Sequence, residues 1–288
     1  MAITLTTPTV DELGHVVRTL RDWQDDASPM QLHPGDLGWY SRFGVDALAG
    51  AVRTWRRSGR LLAIGLLDGA NVLRATVALE AWRDEELAHQ VVSDVSDPER
   101  GVLPTGKASV EAPNGTRVQD LLSDVGWSTD ESWTPLRRDL TKPVEPSGLR
   151  VEVIGLGEES EFTAVHRSAW GSAQFTDERW RAMAAGLLGP DVRCLIGRDA
   201  AGVAVAGVTV WSAGPGKPGL LEPMGVHAQH RGQGYGRAVC LAAAAELQRS
   251  ASSSALVCTP SSLGPAIATY ASAGFQRLPE RRDRSRDA

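Results

Sequence analysis

Two periodicities alternate along this chain. Leu13, Val16, Val17, Leu20 and Trp23 recur at three- and four-residue spacing, and so do Phe162, Val165, Ala169 and Trp170. Only a 3.6-residue repeat gathers such positions on one face, so each set predicts an amphipathic helix. Short β-like runs precede them, Ile3–Thr6 and Val151–Ile154, each followed by an acidic helix start. In the second half the pattern predicts a strand at Leu149–Ile154 and helices at Glu158–Trp170 and Thr176–Gly186. Strands follow at Val192–Gly197 and Val203–Trp211, with a turn at Asp199–Gly202. A turn at Gly214–Gly219 then leads to a strand at Leu220–Val226, a helix at Gly234–Gln248 and a strand at Ser254–Cys258. Pro265–Ala273 reads as a last helix, and Phe275–Leu278 opens a last strand. Strands alternating with helices predict an α/β or α+β layer structure.

The segment Thr141–Gly148 has two prolines, a glycine and no apolar period, which marks a linker. It divides the chain into expected domains at 1–140 and 149–288, with 141–148 between. The halves also look alike. Val118–Trp127 parallels Ile267–Phe275, each a helix closed by glycine and then an aromatic, and several matching points of the two halves lie 147 or 148 residues apart. Two diverged copies of one unit is the favoured reading, and chance similarity between two α/β domains is the alternative.

Composition narrows the function classes. A net charge of −5 spread over interspersed acids and bases lacks the basic stripe of a nucleic-acid binder. No apolar run approaches a membrane span, and Met1–Val10 lacks a basic start followed by an apolar core. The expectation is a cytoplasmic protein with neither nucleic acid nor membrane as partner. Cys194, Cys240 and Cys258 form no C-x-x-C pair, and Cys240 and Cys258, set among apolar residues, read as buried thiols. His227 and His230 have no carboxylate or cysteine nearby to complete a metal set, so no metal is expected.

The chemistry concentrates in Leu220–Arg237, LLEPMGVHAQHRGQGYGR. An apolar strand runs into a loop holding Arg231, Gly232, Gly234 and Gly236, then into an alanine-rich helix. Glycines admit unusual dihedrals and close backbone approach, and the free N–H groups of a first helical turn face an anion. Arg231 and Arg237 can add charge-assisted hydrogen bonds to phosphate oxygens. A tight strand–helix turn that needs glycine for packing alone is the bland alternative. A literal G-x-G-x-x-G at Gly214–Gly219 precedes a strand instead of opening a helix, so it reads as a hairpin loop.

Arg231-Gly232-Gln233-Gly234-Tyr235-Gly236 resembles the R/Q-x-x-G-x-G/A pyrophosphate signature of the GCN5-related N-acetyltransferase (GNAT) superfamily. Met224-Gly225-Val226-His227 looks like the end of that family's fourth strand, and Ala266–Phe275 resembles its A-x-x-x-Y-x-x-x-G-F helix. The resemblance covers about 130 residues from Leu149 onward, and more weakly the first half. It implies two tandem GNAT-like domains, each a mixed, mostly antiparallel sheet flanked by helices. It also implies acetyl transfer from acetyl-CoA to a primary amine of a small molecule or peptide. Met224, Gly225 and Val226 would pair with the pantetheine arm, and Arg231, Gly232, Gln233, Gly234, Tyr235, Gly236 and Arg237 would hold the diphosphate. Glu222 would take a proton from the amine, and Tyr270 would protonate the departing thiolate. A surface or ion-paired glutamate and a core tyrosine are the plain alternatives. Two departures stand out: Leu263 replaces the family's frequent asparagine, with Ser261 or Ser262 as possible substitutes, and little chain remains for a final strand. The charged run Arg281–Arg286 reads as a solvated end.

By the duplication, the first half should carry its own phosphate loop between a strand at Val72–Leu79 and a helix near Asp84–Val92. Asn71–Val92 contains no glycine and puts Asp84, Glu85 and Glu86 at the turn, where they would repel a diphosphate. A degenerate copy without bound cofactor is therefore expected. A non-catalytic acyl-CoA-binding sensory module is the competing function, which would keep Arg231–Gly236 but need neither Glu222 nor Tyr270.

Overall fold

The computed structural model describes residues 2–287. The first half forms strands at Ile3–Thr6 (β1), Val52–Arg57 (β2), Arg60–Leu67 (β3), Val72–Val77 (β4), Ala108–Glu111 (β5) and Ser128–Asp139 (β6). Its helices are Leu13–Asp22 (α1), Pro34–Tyr40 (α2), Val45–Ala51 (α3), Glu85–Ser96 (α4) and Arg117–Asp124 (α5). The second half forms strands at Arg150–Val153 (β7), Val192–Arg198 (β8), Ala204–Trp211 (β9), Gly219–Val226 (β10), Ser254–Pro260 (β11), Gln276–Arg277 (β12) and Arg281–Arg286 (β13). Its helices are Glu159–Trp170 (α6), Asp177–Ala185 (α7), Tyr235–Arg249 (α8) and Gly264–Ser272 (α9). Hydrophobic spacing placed the second-half elements up to β12 to within about two residues.

Contacts gather into two compact units, and neither is a continuous half of the chain. One comprises Met1–Leu32, Val45–Trp133 and Pro279–Ala288; the other comprises His33–Gly44 and Thr134–Leu278. The linear division at 141–148 therefore differs from the observed one. A proline- and glycine-rich stretch reports where the backbone lacks regular structure, and says nothing of which sheet a distant strand joins.

In the first unit the sheet order is β1-β2-β3-β4-β5-β13, followed by the Ser128–Trp133 part of β6. Only β4 and β5 pair in parallel; the other pairs run antiparallel. Trp55, Leu73, Leu87, Val91, Leu122 and Trp127 belong to its core. The terminal run Arg281–Arg286 is a correction to the expected solvated end. Arg284 pairs with Val110 of β5, and Arg281 with Trp133 of β6. Arg281, the buried residue of the run, goes inside because it finds a partner: it meets Glu111 at 2.6 Å, and Arg74 holds the same carboxylate at 3.0 Å. Burial raises the pKa of Glu111, but Arg281 and Arg74 outweigh it and hold the group below the usual carboxylate range.

In the second unit β7, β8, β9 and β10 form an antiparallel meander. Parallel β11 follows β10, and the Thr134–Asp139 part of β6 lies beyond β11. The short β12 pairs with Leu136 and Arg137 of β6, so residues from before the expected linker supply the sheet edge there. Two faces of this sheet are covered. Val208 and Val210 pack with Val239 and Ala243 of α8, whereas Gly207 faces Phe162 of α6. On the α6 side, Gly35 and Gly38 of α2 lie so close to the Trp211 ring that a Cβ at either would overlap it.

Candidate active site

Strands β10 and β11 pair only at Gly219 with Ala255 and at Leu220 with Leu256. Beyond Leu220 the two strands part. The opposite edge of β10 stays on β9 through Val226, with a register shift between Leu221 and Met224. Part of the Leu221–Val226 backbone thus lies outside a ladder on its β11 side, where a polar chain can add hydrogen bonds as an extra strand would. β10 then runs through a turn, in which His227 Nδ1 accepts from Gln229 N at 3.4 Å, into the glycine loop.

Arg231, Gly232, Gln233 and Gly234 are exposed, and Tyr235 and Gly236 half-buried. Gly232 and Gly234 take φ of 78° and 83°, a left-handed conformation costly to any residue with a Cβ. Gly234 is the N-cap of α8 and contributes no side chain to its first turn. The caps of α5 and α7 differ: the Thr116 and Thr176 hydroxyls accept from first-turn N–H groups there. The start of α8 therefore presents unpaired donors to an anion. Gly236 is needed for another reason, since a Cβ there would stand 2.9 Å from Thr269 Cγ2 of α9.

The two arginines are braced. Arg231 Nη2 donates to Ala169 O at the end of α6 at 2.6 Å, and Arg237 Nε donates to Ser272 O at the end of α9 at 2.9 Å. Met224 and Val226 pack on the core cluster that includes Tyr270 and Cys240. Tyr270 is buried; burial first, then Cys240, Glu222 and Cys258, push its hydroxyl pKa above the ordinary value. The sequence candidates Tyr270 and Glu222 therefore share one electrostatic neighbourhood. Glu222 is half-buried, and its carbonyl accepts from Trp211 Nε1 at 2.8 Å. Ser261 is engaged elsewhere, 2.7 Å from Thr134 Oγ1. Cys194 and Cys240 are buried thiols pushed up to about 11 and about 12, which removes them as nucleophiles. Cys258 is only half-buried.

Residues 159–275 match the model of the acetyltransferase (GNAT) family. The second unit carries a GNAT domain. No curated protein sequence matches the chain. The fold extends over the whole length: a GCN5-related N-acetyltransferase from Sphaerobacter thermophilus is 16% identical, covering 99% of this chain and 95% of its own with a TM-score of 0.61. A tandem GNAT protein from the clavulanic acid biosynthesis pathway is 15% identical over 99% and 98%, with a TM-score of 0.61. A GNAT-family acetyltransferase from Colwellia psychrerythraea is 14% identical over 100% of both chains, with a TM-score of 0.62. The chain thus has a tandem GNAT fold. Among the described residues no helix is long and apolar enough to cross a membrane.

The GNAT domain has a counterpart in the first unit that can be compared bond by bond. Gly126 N donates to Ser123 O and Trp127 N to Leu122 O; 148 positions on, Gly274 N donates to Ala271 O and Phe275 N to Tyr270 O. The same helix closure thus puts Leu122 where the GNAT domain has Tyr270. At the other motif, Asp84 caps α4 by accepting from Leu87 N at 2.9 Å, and Arg57 clasps it at 2.6 and 3.0 Å. A carboxylate of the chain itself occupies the helix start that α8 leaves open.

Sequence reasoning missed His166 and Trp39. Both lie on the α6 side of the second unit, their rings 5.5 Å apart. The helical period that revealed α6 skipped His166 because it counts only apolar residues, and Trp39 arrives on α2 from far along the chain.

Proposed function

We propose that this protein is an N-acetyltransferase that moves an acetyl group from acetyl-CoA to a primary amine of a small molecule or peptide. The observation that carries this reading is the parting of β10 from β11 immediately ahead of the uncapped, exposed start of α8. Main-chain N–H groups of Gly232–Gly236, with Arg231 and Arg237, would hold the diphosphate, and the backbone of Met224–Val226 would pair with the pantetheine arm. When bound, acetyl-CoA supplies the acetyl group as a thioester.

The chain's own groups manage the protons. Glu222 accepts one from the amine, directly or through water, so that the nitrogen lone pair is free to form the new C–N bond. A β10 N–H facing the carbonyl oxygen stabilises negative charge as it develops there. Tyr270 donates its hydroxyl proton to sulfur as the C–S bond breaks; with its pKa raised, the hydroxyl carries that proton at neutral pH. The first unit serves as a degenerate copy without cofactor, which its occupied α4 cap and Leu122 support.

A screen of varied primary amines with acetyl-CoA, read as free thiol released, tests the reading. Amine-dependent thiol release is expected. A protein that binds acetyl-CoA yet turns over no amine in a broad screen is instead an acyl-CoA sensor.

A further inference from the structure

His166, midway along α6, takes no part in the chemistry above. Both its ring nitrogens are sealed from solvent without a hydrogen-bond partner. Leaving a buried polar group unpaired costs about 1–3 kcal/mol, so its retention asks for a reason. Its surroundings are aromatic. Trp170 stacks on it at 4.4 Å, Phe175 lies at 4.6 Å and Trp39 at 5.5 Å. Burial, then Arg42 and Arg167, lower its pKa to about 4, so at neutral pH the ring offers one donor and one acceptor and no charge.

Beside the imidazole lies a cavity of about 10 Å³ lined by Phe162, His166, Trp170, Gly207, Pro223 and Gly225. Pro223 and Gly225 belong to the stretch of β10 that has left β11, where the thioester would be laid. They border the α6 side, while Met224 and Val226 pack toward Tyr270. The Trp170 wall is 48% exposed, so it is the side of the cavity that borders solvent. Gly225 lets α6 pack close against β10, because a Cβ there would overlap Trp170 and stand 2.6 Å from Ala169 Cβ.

We propose that His166 determines acceptor specificity: its unpaired imidazole hydrogen-bonds a neutral hydroxyl or ring N–H on an amine whose body is aromatic or apolar, seated against Phe162 and Trp170 beneath Pro223 and Gly225. Arg42 and Arg167 close by disfavour a second positive charge on that acceptor. The inference rests on the acetyltransferase reading. A site built to hydrogen-bond a substrate hydroxyl discriminates strongly against the analogue without it.

The test uses the full chain with acetyl-CoA and four acceptors: tyramine, phenethylamine, tryptamine and spermidine. Thiol release gives kcat and KM, and calorimetry gives the acetyl-CoA Kd. The wild type is expected to favour tyramine over phenethylamine by roughly ten-fold or more in kcat/KM. His166→Phe, which keeps the aromatic stack, should bring that ratio close to one through KM and leave the acetyl-CoA Kd unchanged. His166→Gln, which restores a donor and an acceptor, should recover part of the preference. An unchanged ratio in His166→Phe, or a wild type that prefers spermidine, overturns the proposal. So does a wild type that binds acetyl-CoA but turns over none of the four, even if other amines react. Failure of the wild type to bind acetyl-CoA overturns the acetyltransferase reading itself, and this inference with it.

Discussion

Tyr270 and His166 are polar groups at the two faces of β10, and burial treats them differently. Burial keeps the Tyr270 proton on oxygen, which suits a group that must give it to a thiolate. Tyr270→Phe keeps the packing and removes that proton, so kcat should fall roughly ten-fold or more under conditions where chemistry limits turnover. Unchanged turnover would leave Tyr270 as core. His166 is held neutral when folded, with a pKa of about 4 against an ordinary 6.5. The unfolded chain therefore takes up a proton that the folded one refuses. Stability present above about pH 6.5 is lost as pH falls through about 4. Thermal melts across this range should show a steeper loss for the wild type than for His166→Phe, by up to about 3 kcal/mol. Parallel profiles would mean the ring is not desolvated as described. Tyr270 was legible because a spaced motif surrounds it in the sequence. His166 was not, because its character comes from Trp39 and Phe175, which only the fold brings near.

The strand–loop–helix element Gly219–Arg249 was the most legible part of the chain. Its signal is local: apolar strand, glycines where φ must be positive, alanine-rich helix. Gly234→Val forces a branched side chain into the left-handed region at the α8 start, costing about 1–2 kcal/mol. It should weaken acetyl-CoA binding far more than it lowers the melting temperature, and calorimetry beside thermal melts would separate the two effects. Normal affinity in a folded Gly234→Val protein would remove the loop from the site. The parting of β10 and β11 was not legible, since strand pairing is decided by non-local contacts that no short window contains. At the matching element of the first unit, the acids at Asp84–Glu86 were legible in the sequence, and one of them, Asp84, caps α4. The clasp by Arg57 was invisible because β2 lies 27 residues earlier.

At the scale of the molecule, strand membership is where sequence reading failed. Arg281–Arg286 has the composition of a solvated tail, yet it joins the sheet of the first unit, where the Glu111 carboxylate receives Arg281. Deleting residues 279–288 strips Glu111 of one of its two arginines and opens that sheet beside β5. Breaking a buried ion pair of this kind costs about 3–5 kcal/mol. Hydrogen exchange should show lost protection in β5 and β6 of the first unit, and retained protection there would contradict the pairing. The duplication itself was legible as a repeat near 148 residues, and the matched helix closures at Gly126 and Gly274 give it a structural basis. In the proposed reaction, exposed main-chain amides around Gly232–Gly236 grip the diphosphate of acetyl-CoA. Titration calorimetry of the intact protein with acetyl-CoA and with CoA tests it most directly. Saturable binding of both at one site per chain is the predicted result; no heat of binding from well-folded protein would contradict it.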